Sequence, residues 1–342
     1  MAMRDEILQQ PERLEALLCD GPAEAAAIAR SIAGRFQHVV VAARGSSDNA
    51  ARYAQYLWGI HNRLVVTLAA PSIFSRYGAR PSLEGALVVA VSQSGQSPDL
   101  IEVVSAAAGQ GAPTIAITND VHSPLAGVSD FVMWMRAGEE RAVAATKTYT
   151  ASLTAVALLS DAMDPGAGLV DDLRRVPAAV AAALDDEDHV AEVAAALAAE
   201  TACAVLGRGY HYATAFEWAL KLEELAYIVA QPHSTADFEH GPRAMVGAGF
   251  PVLAAVADGP LFAEAAALLE DLRVDRRATT VAITNRGDLG ATHLLRIDAD
   301  IAERCAPIVG IVPAQLFSHH IAIAKGHDPD NPRGLEKVTR TR

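Results

Sequence analysis

The chain of 342 residues repeats itself. The apolar run His38-Val-Val-Val-Ala-Ala43, followed by Arg44-Gly45, is answered by Cys203-Ala-Val-Leu206-Gly207, followed by Arg208-Gly209. Further on, Pro113-Thr-Ile-Ala-Ile-Thr-Asn119 is answered by Thr279-Thr-Val-Ala-Ile-Thr-Asn285. Both matches fall about 165 residues apart, so two copies of one unit are expected, each long enough to bury its own core. Within each copy, short β-branched runs alternate with longer Ala- and Leu-rich stretches of helical period, such as Asn49 to Trp58 and Tyr212 to Val229. Uniformly apolar strands need cover on both faces, and the intervening helices supply it. The expected class is α/β, with two tandem domains, each a doubly wound parallel sheet flanked by helices. Asp164-Pro-Gly-Ala-Gly168 breaks a helix, and the Ala-rich stretch from Leu169 to Glu200 has helical spacing. The expected divisions are therefore 1–165 for N-terminal helices and the first domain, 166–200 for a helical connector, and 201–342 for the second domain with a C-terminal tail.

The duplication singles out one turn. Ser92-Gln-Ser-Gly-Gln-Ser97 follows the apolar run Ala86 to Val91, and its counterpart in the second copy is Ala257-Asp-Gly-Pro-Leu-Phe262, which has no hydroxyl and has gained a carboxylate. A turn needed only to join a strand to a helix would tolerate either version. In a parallel sheet, ligands sit at the carboxyl ends of strands, and a helix beginning near Pro98 would point its free N–H groups at the turn. Hydroxyls, backbone donors and a helix N-terminus together suit a phosphate monoester. The same residues also read as a Ser-rich N-cap and turn with no ligand.

Other classes are disfavoured. Ala43-Arg-Gly-Ser-Ser-Asp48 does not form G-x-G-x-x-G, and G-x-x-x-x-G-K-[ST] does not occur, so neither NAD nor ATP is indicated and no cofactor is expected. The formal charge of −13 argues against a nucleic-acid partner and means that local groups must hold any anionic ligand. No basic-then-apolar leader is seen, and no uncharged apolar run reaches the about eighteen residues that span a bilayer, so a compact soluble protein of the cytoplasm, with no membrane partner, is expected. Cys19, Cys203 and Cys305 are far apart and form no C-x-x-C pair, which reads as buried, unreactive thiols.

Six features taken together resemble the sugar isomerase (SIS) family: the paired repeats, the S-Q-S-G-x-S turn, Ala142-Val-Ala-Ala-Thr-Lys147, Ala219-Leu-Lys-Leu-Glu-Glu224, His240-Gly-Pro242 and Pro332-Arg-Gly-Leu-Glu-Lys337. Within that family the chain is most similar to the isomerase half of glucosamine-6-phosphate synthase. The resemblance runs from about residue 20 to the end, with the motifs in order. It implies that Ser92, Gln93, Ser94 and Ser97 hold a sugar 6-phosphate, that Ser47 is a further hydroxyl at the sugar, and that Val143 is a backbone contact near it. The chain begins Met1-Ala-Met-Arg4 and reaches its first strand by residue 38, so no glutaminase domain is expected. That layout resembles stand-alone amino-sugar-phosphate deaminases and phosphosugar isomerases.

Moving a proton between C1 and C2 of a sugar calls for a carboxylate, and the resemblance makes Glu224 that group, with Lys221 beside it. On a helix from about Tyr212 to Val229, Glu217, Lys221, Glu224 and Ile228 would share a face. Taken alone, Glu217 and Lys221 read as an ordinary i,i+4 pair on a solvated face, worth about 0.3–0.5 kcal/mol, with Glu224 extending it. His240, beside Asp237 and Glu239, is by resemblance the group that opens the sugar ring, supplied by the neighbouring subunit, which implies a homodimer with shared active sites. His233 nearby raises the question of a metal, but the spacing fits no standard ligand pattern and none is expected. Lys337 would ordinarily be a frayed, solvated tail residue; by resemblance it forms an imine with the sugar carbonyl, and a tail that orders on binding would act as a lid. The expected activity is deamination and isomerisation of a hexosamine 6-phosphate, glucosamine 6-phosphate to fructose 6-phosphate and ammonia. The alternatives are a ketose–aldose phosphosugar isomerase, an amino-sugar-phosphate deglycase, or a catalytically silent sugar-phosphate sensor.

Overall fold

The computed structural model describes residues 1–337. The last stretch of the expected 201–342 division, residues 338–342, lies outside the described residues. The chain divides into two compact units. One comprises residues 12–140, 147–174 and the tail from Glu336; the other comprises Met1–Pro11, Arg141–Thr146 and Arg175–Leu335.

The first unit carries a five-stranded sheet of β1 (His38–Ala42), β2 (Val65–Leu68), β3 (Ala86–Ser92), β4 (Thr114–Thr118) and β5 (Phe131–Trp134). The second carries β6 (Ala202–Gly207), β7 (Val229–His233), β8 (Pro251–Val256), β9 (Thr279–Thr284) and β10 (His293–Arg296). Their orders are β2-β1-β3-β4-β5 and β10-β9-β8-β6-β7, and every pairing is parallel. Read from the matching edge the two orders are the same, so the sequence repeat is a repeat of topology. In this order the chain leaves β1 toward one edge and returns past it to β3, which opens a crevice at the carboxyl ends of β1 and β3; the second sheet has its equivalent at β6 and β8.

The central strands explain their own position. All seven residues of β3 and all six of β8 are buried, because each of these strands has a strand on either side and helices over both faces. Leu100, Val103 and Ala107 of helix Pro98–Ala108 pack with Ala86 and Val88 of β3 at the i, i+3, i+7 spacing of one helical face.

The structure corrects three readings. The helix expected over Tyr212 to Val229 ends at Ala226, because Tyr227 takes a left-handed conformation at φ 55° and β7 begins two residues later. Ile228 therefore lies beyond the helix. Ala306–Ala324 is long and apolar enough to cross a membrane, but 89% of that stretch is buried inside the protein as a core helix. Of the three cysteines, Cys203 and Cys305 are buried but Cys19 is exposed, on the outer face of helix Gln10–Ile32. Burial pushes the Cys203 thiol up to about 12, which keeps it protonated and unreactive.

Candidate active site

In the first unit the candidate residues gather at the β1/β3 crevice. Gly45, at φ 54°, turns the chain after β1 into helix Ser46–Ile60, so Ser47 stands in its first turn, half-buried. After β3, Ser92, Gln93, Ser94 and Ser97 lie on one tight turn. Gly95 makes it possible: its φ is 61°, and a Cβ there would sit 2.1 Å from Ser123 Oγ. Ser92 Oγ accepts the Gly95 N–H at 3.1 Å, and Ser94 Oγ accepts the Gln96 N–H at 3.3 Å. The Gln93 carbonyl accepts the Asn119 N–H at 3.1 Å. Ser97 occupies the N-cap of helix Pro98–Ala108 but, among the described residues, makes no side-chain cap bond. The turn reading thus holds for Ser92 and Ser94. The serine oxygens accept backbone N–H groups, which fixes the turn, and each hydroxyl keeps a proton to donate.

At the equivalent crevice of the second unit the turn after β8 is tied up in bonds to the chain itself, beside a small cavity lined by Arg208, Ala257, Leu261 and Glu303. The Asp258 N–H bonds to Asn285 Oδ1 at 2.7 Å, and its carboxylate pairs with Arg286 at 2.7 Å. A Cβ at Gly259 would lie 2.5 Å from the Glu303 carboxyl carbon. This turn presents ion pairs where the first repeat presents hydroxyls.

The second unit holds the acid–base candidates. Helix Tyr212–Ala226 presents Glu217, Lys221 and Glu224 at i, i+4 and i+7. Lys221 and Glu217 are 0% exposed and 3.4 Å apart, while Glu224, 23% exposed, accepts a close hydrogen bond from Lys221 Nζ. The solvated-pair reading is therefore overturned. Burial works against the charge of Lys221, but the carboxylates of Glu224 and Glu217 outweigh it and hold the ammonium above its usual range. A permanently protonated Lys221 makes a poor nucleophile and a good anchor for Glu224. His240 is exposed at the C-terminus of the short helix Thr235–Glu239, where its N–H bonds to the Asp237 carbonyl at 3.1 Å. Val143 lies half-buried in the 141–146 loop. The Arg141 and Ala142 N–H groups of that loop donate to the buried Glu6 carboxylate at 2.5 and 3.2 Å, and its Thr146 carbonyl accepts from Gln315 at 3.3 Å.

The tail is pinned at two places. In the second unit the Arg333 N–H donates to the Tyr227 hydroxyl at 2.9 Å, and its guanidinium stacks 3.8 Å over that ring. In the first unit Lys337 Nζ meets Glu140 Oε2 at 2.6 Å. Glu140 is a buried carboxylate that also accepts from the Thr148 N–H at 3.0 Å and the Thr148 hydroxyl at 2.7 Å. Lys337 is thus half-buried and ion-paired, which overturns the reading of a frayed, solvated lysine. Sequence reasoning missed Glu6 and Glu140. The one available signal for Glu140 was a carboxylate just before the Ala142–Lys147 motif.

Comparison with known proteins bears out the two tandem domains. The SIS domain matches residues 35–161 and again 197–325, one match per sheet. The glutamine–fructose-6-phosphate aminotransferase (isomerizing) of Methanothermobacter thermautotrophicus is 34% identical over 89% of this chain and 52% of its own length. The chain thus spans about half the length of the curated relatives it matches. A Silicibacter pomeroyi protein provisionally described as a phosphosugar isomerase is 34% identical with a TM-score of 0.87, over 96% of this chain and 100% of that one. The C-terminal domain of the Francisella tularensis glucosamine–fructose-6-phosphate aminotransferase is 27% identical with a TM-score of 0.87, over 97% and 98%. With both of its sheets matched, the chain belongs to the SIS domain family.

Proposed function

We propose that this chain converts a hexosamine 6-phosphate to the ketose 6-phosphate with release of ammonia, glucosamine 6-phosphate giving fructose 6-phosphate. The observation that carries the proposal is Glu224, partly open to solvent and gripped by a fully buried ammonium. That is the environment of a carboxylate that must take up and return a proton while held in one place. Ser92, Gln93, Ser94 and Ser97 hold the phosphate, with Ser47 and the Val143 backbone at the sugar. His240 opens the ring. Glu224 moves the C2 proton to C1, which turns the 2-amino aldose into a ketose imine, and Lys221 steadies its charge. The Lys337 amine, once free of its proton, adds at C2 and expels ammonia; water then hydrolyses the lysine imine to the ketone. The sum is hexosamine 6-phosphate plus water to ketose 6-phosphate plus ammonia. A homodimer with His240 acting across the subunit boundary belongs to the same proposal.

A second reading, ketose–aldose interconversion with no amine, is favoured by the 34% identity to the Silicibacter pomeroyi protein. Incubation with a panel of hexosamine 6-phosphates, assayed for ammonia, alongside ketose and aldose 6-phosphates, assayed for interconversion, separates the two. Ammonia from glucosamine 6-phosphate is expected, and interconversion without ammonia from any amine would replace the first reading by the second.

A further inference from the structure

The hydroxyl turn contains no cation, and the chain carries a net −13, yet a sugar phosphate is close to a dianion. Worse, the second residue of the helix that starts at the turn is a carboxylate: Asp99 is 0% exposed, two residues from Ser97. An uncompensated buried carboxylate there would repel the phosphate. Its partner is Arg44, from the loop after β1 on the other wall of the crevice. Arg44 Nε and Nη2 both reach Asp99 Oδ2 at 2.8 Å, while the Arg44 side chain stays 46% exposed. Burial raises the Asp48 carboxyl above its usual range, offset only in part by Arg52, which pairs with it at 3.1 Å, and by Arg44, which is close enough to act on it.

Resting on the phosphate-site reading above, we infer that Arg44 is the cation of the phosphate site and that Asp99 is the positioning residue that holds it across the β1/β3 crevice. Gripped from the inner side by a buried carboxylate, the guanidinium keeps an exposed edge with which to meet a phosphate oxygen. The second repeat supplies an internal control. Arg208 and Glu264, at the equivalent places, form the same cross-crevice pair, but Glu264 is 49% exposed and the neighbouring turn has no serine. The pair as such belongs to the repeat's frame; only in the first repeat does it stand beside a phosphate-binding turn.

The test is calorimetric titration of the full chain with fructose 6-phosphate, with melting temperature measured in parallel. Arg44→Gln is expected to weaken binding about ten- to a hundredfold, the range of a lost hydrogen bond to a charged group. Arg44→Lys, which keeps a charge but cannot grip Asp99 in two places, should recover part of that loss. Arg208→Gln should leave binding at the wild-type level. If Arg44→Gln does not fold because Asp99 is stranded, Arg44→Gln/Asp99→Asn removes both charges and should still bind at least about tenfold more weakly. Wild-type affinity in a folded Arg44→Gln or in the double variant, with Ser94→Ala weakened, overturns this inference alone. Wild-type affinity in Ser94→Ala overturns the phosphate-site reading and takes this inference with it.

Discussion

Lys221→Met is the perturbation whose outcome the structure specifies most fully. The ammonium it removes is 0% exposed and shared by Glu217, also 0% exposed, and Glu224. Methionine fills a similar volume, so the cavity term is small and the main effect is that Glu217 is left as a buried carboxylate without that ammonium. Removing one member of a buried pair costs about 3–5 kcal/mol. At about 2–4 °C per kcal/mol for domains of this size, the melting temperature should fall by about 6–20 °C. The loss should also depend on pH with a definite sign. Without its ammonium, Glu217 has a folded pKa above its unfolded value of about 4.3, so the variant's deficit shrinks as the pH falls and the carboxyl takes up a proton. Lys221→Met/Glu217→Gln removes both charges and should regain most of the stability. Urea unfolding of the three proteins at pH 5.5 and 8 measures this. A single variant within about 1 kcal/mol of wild type at both pH values would refute the buried-triad reasoning.

Ser94→Ala should weaken sugar-phosphate binding by about 1.5–3 kcal/mol, while Asp258→Ala in the matching turn leaves it unchanged; equal losses in titration would mean that the two crevices are equivalent. His211 and His319 are both buried, and burial lowers each to about 4 from 6.5. Between those values the unfolded chain binds protons that the folded chain does not, so stability is lost as the pH falls through 6.5 toward 4, by about 2 kcal/mol per histidine at pH 5. Melting curves of wild type and His319→Gln should show the variant less sensitive to acid, and identical pH slopes would contradict this. Mixing the inactive His240→Ala and Glu224→Gln proteins should restore up to about a quarter of wild-type activity if active sites are shared in a dimer; no recovery after demonstrated subunit exchange would place His240 in its own chain's site.

Much of this was open to reading because it is local. Strand runs such as Thr114–Thr118 and Thr279–Thr284 carry their own apolar signal, and Pro98 marks its helix start by lacking an N–H. The serine turn stood out because the second repeat lacks it. What escaped was what depends on distant partners. Glu217 and Lys221 at i,i+4 look the same in sequence whether solvated or buried, and only the packing of the whole helix decides. Glu140 meets a lysine 197 residues away, and Glu6 holds a backbone 135 residues away, separations over which no periodicity operates. The early end of the Tyr212–Ala226 helix was hidden because its left-handed stop is a tyrosine and not the glycine that usually marks one.

Glu224 as the base that moves a proton between C1 and C2 is tested most directly by isotope exchange. Wild-type protein incubated with glucosamine 6-phosphate in deuterated water should give sugar labelled at one of these carbons, as read by NMR. Glu224→Gln keeps the shape and hydrogen bonding of the side chain but cannot accept a proton. Its labelling and ammonia release should fall together by about 10²–10⁴-fold while ligand binding survives. Labelling and turnover at the wild-type level in Glu224→Gln would contradict the mechanism.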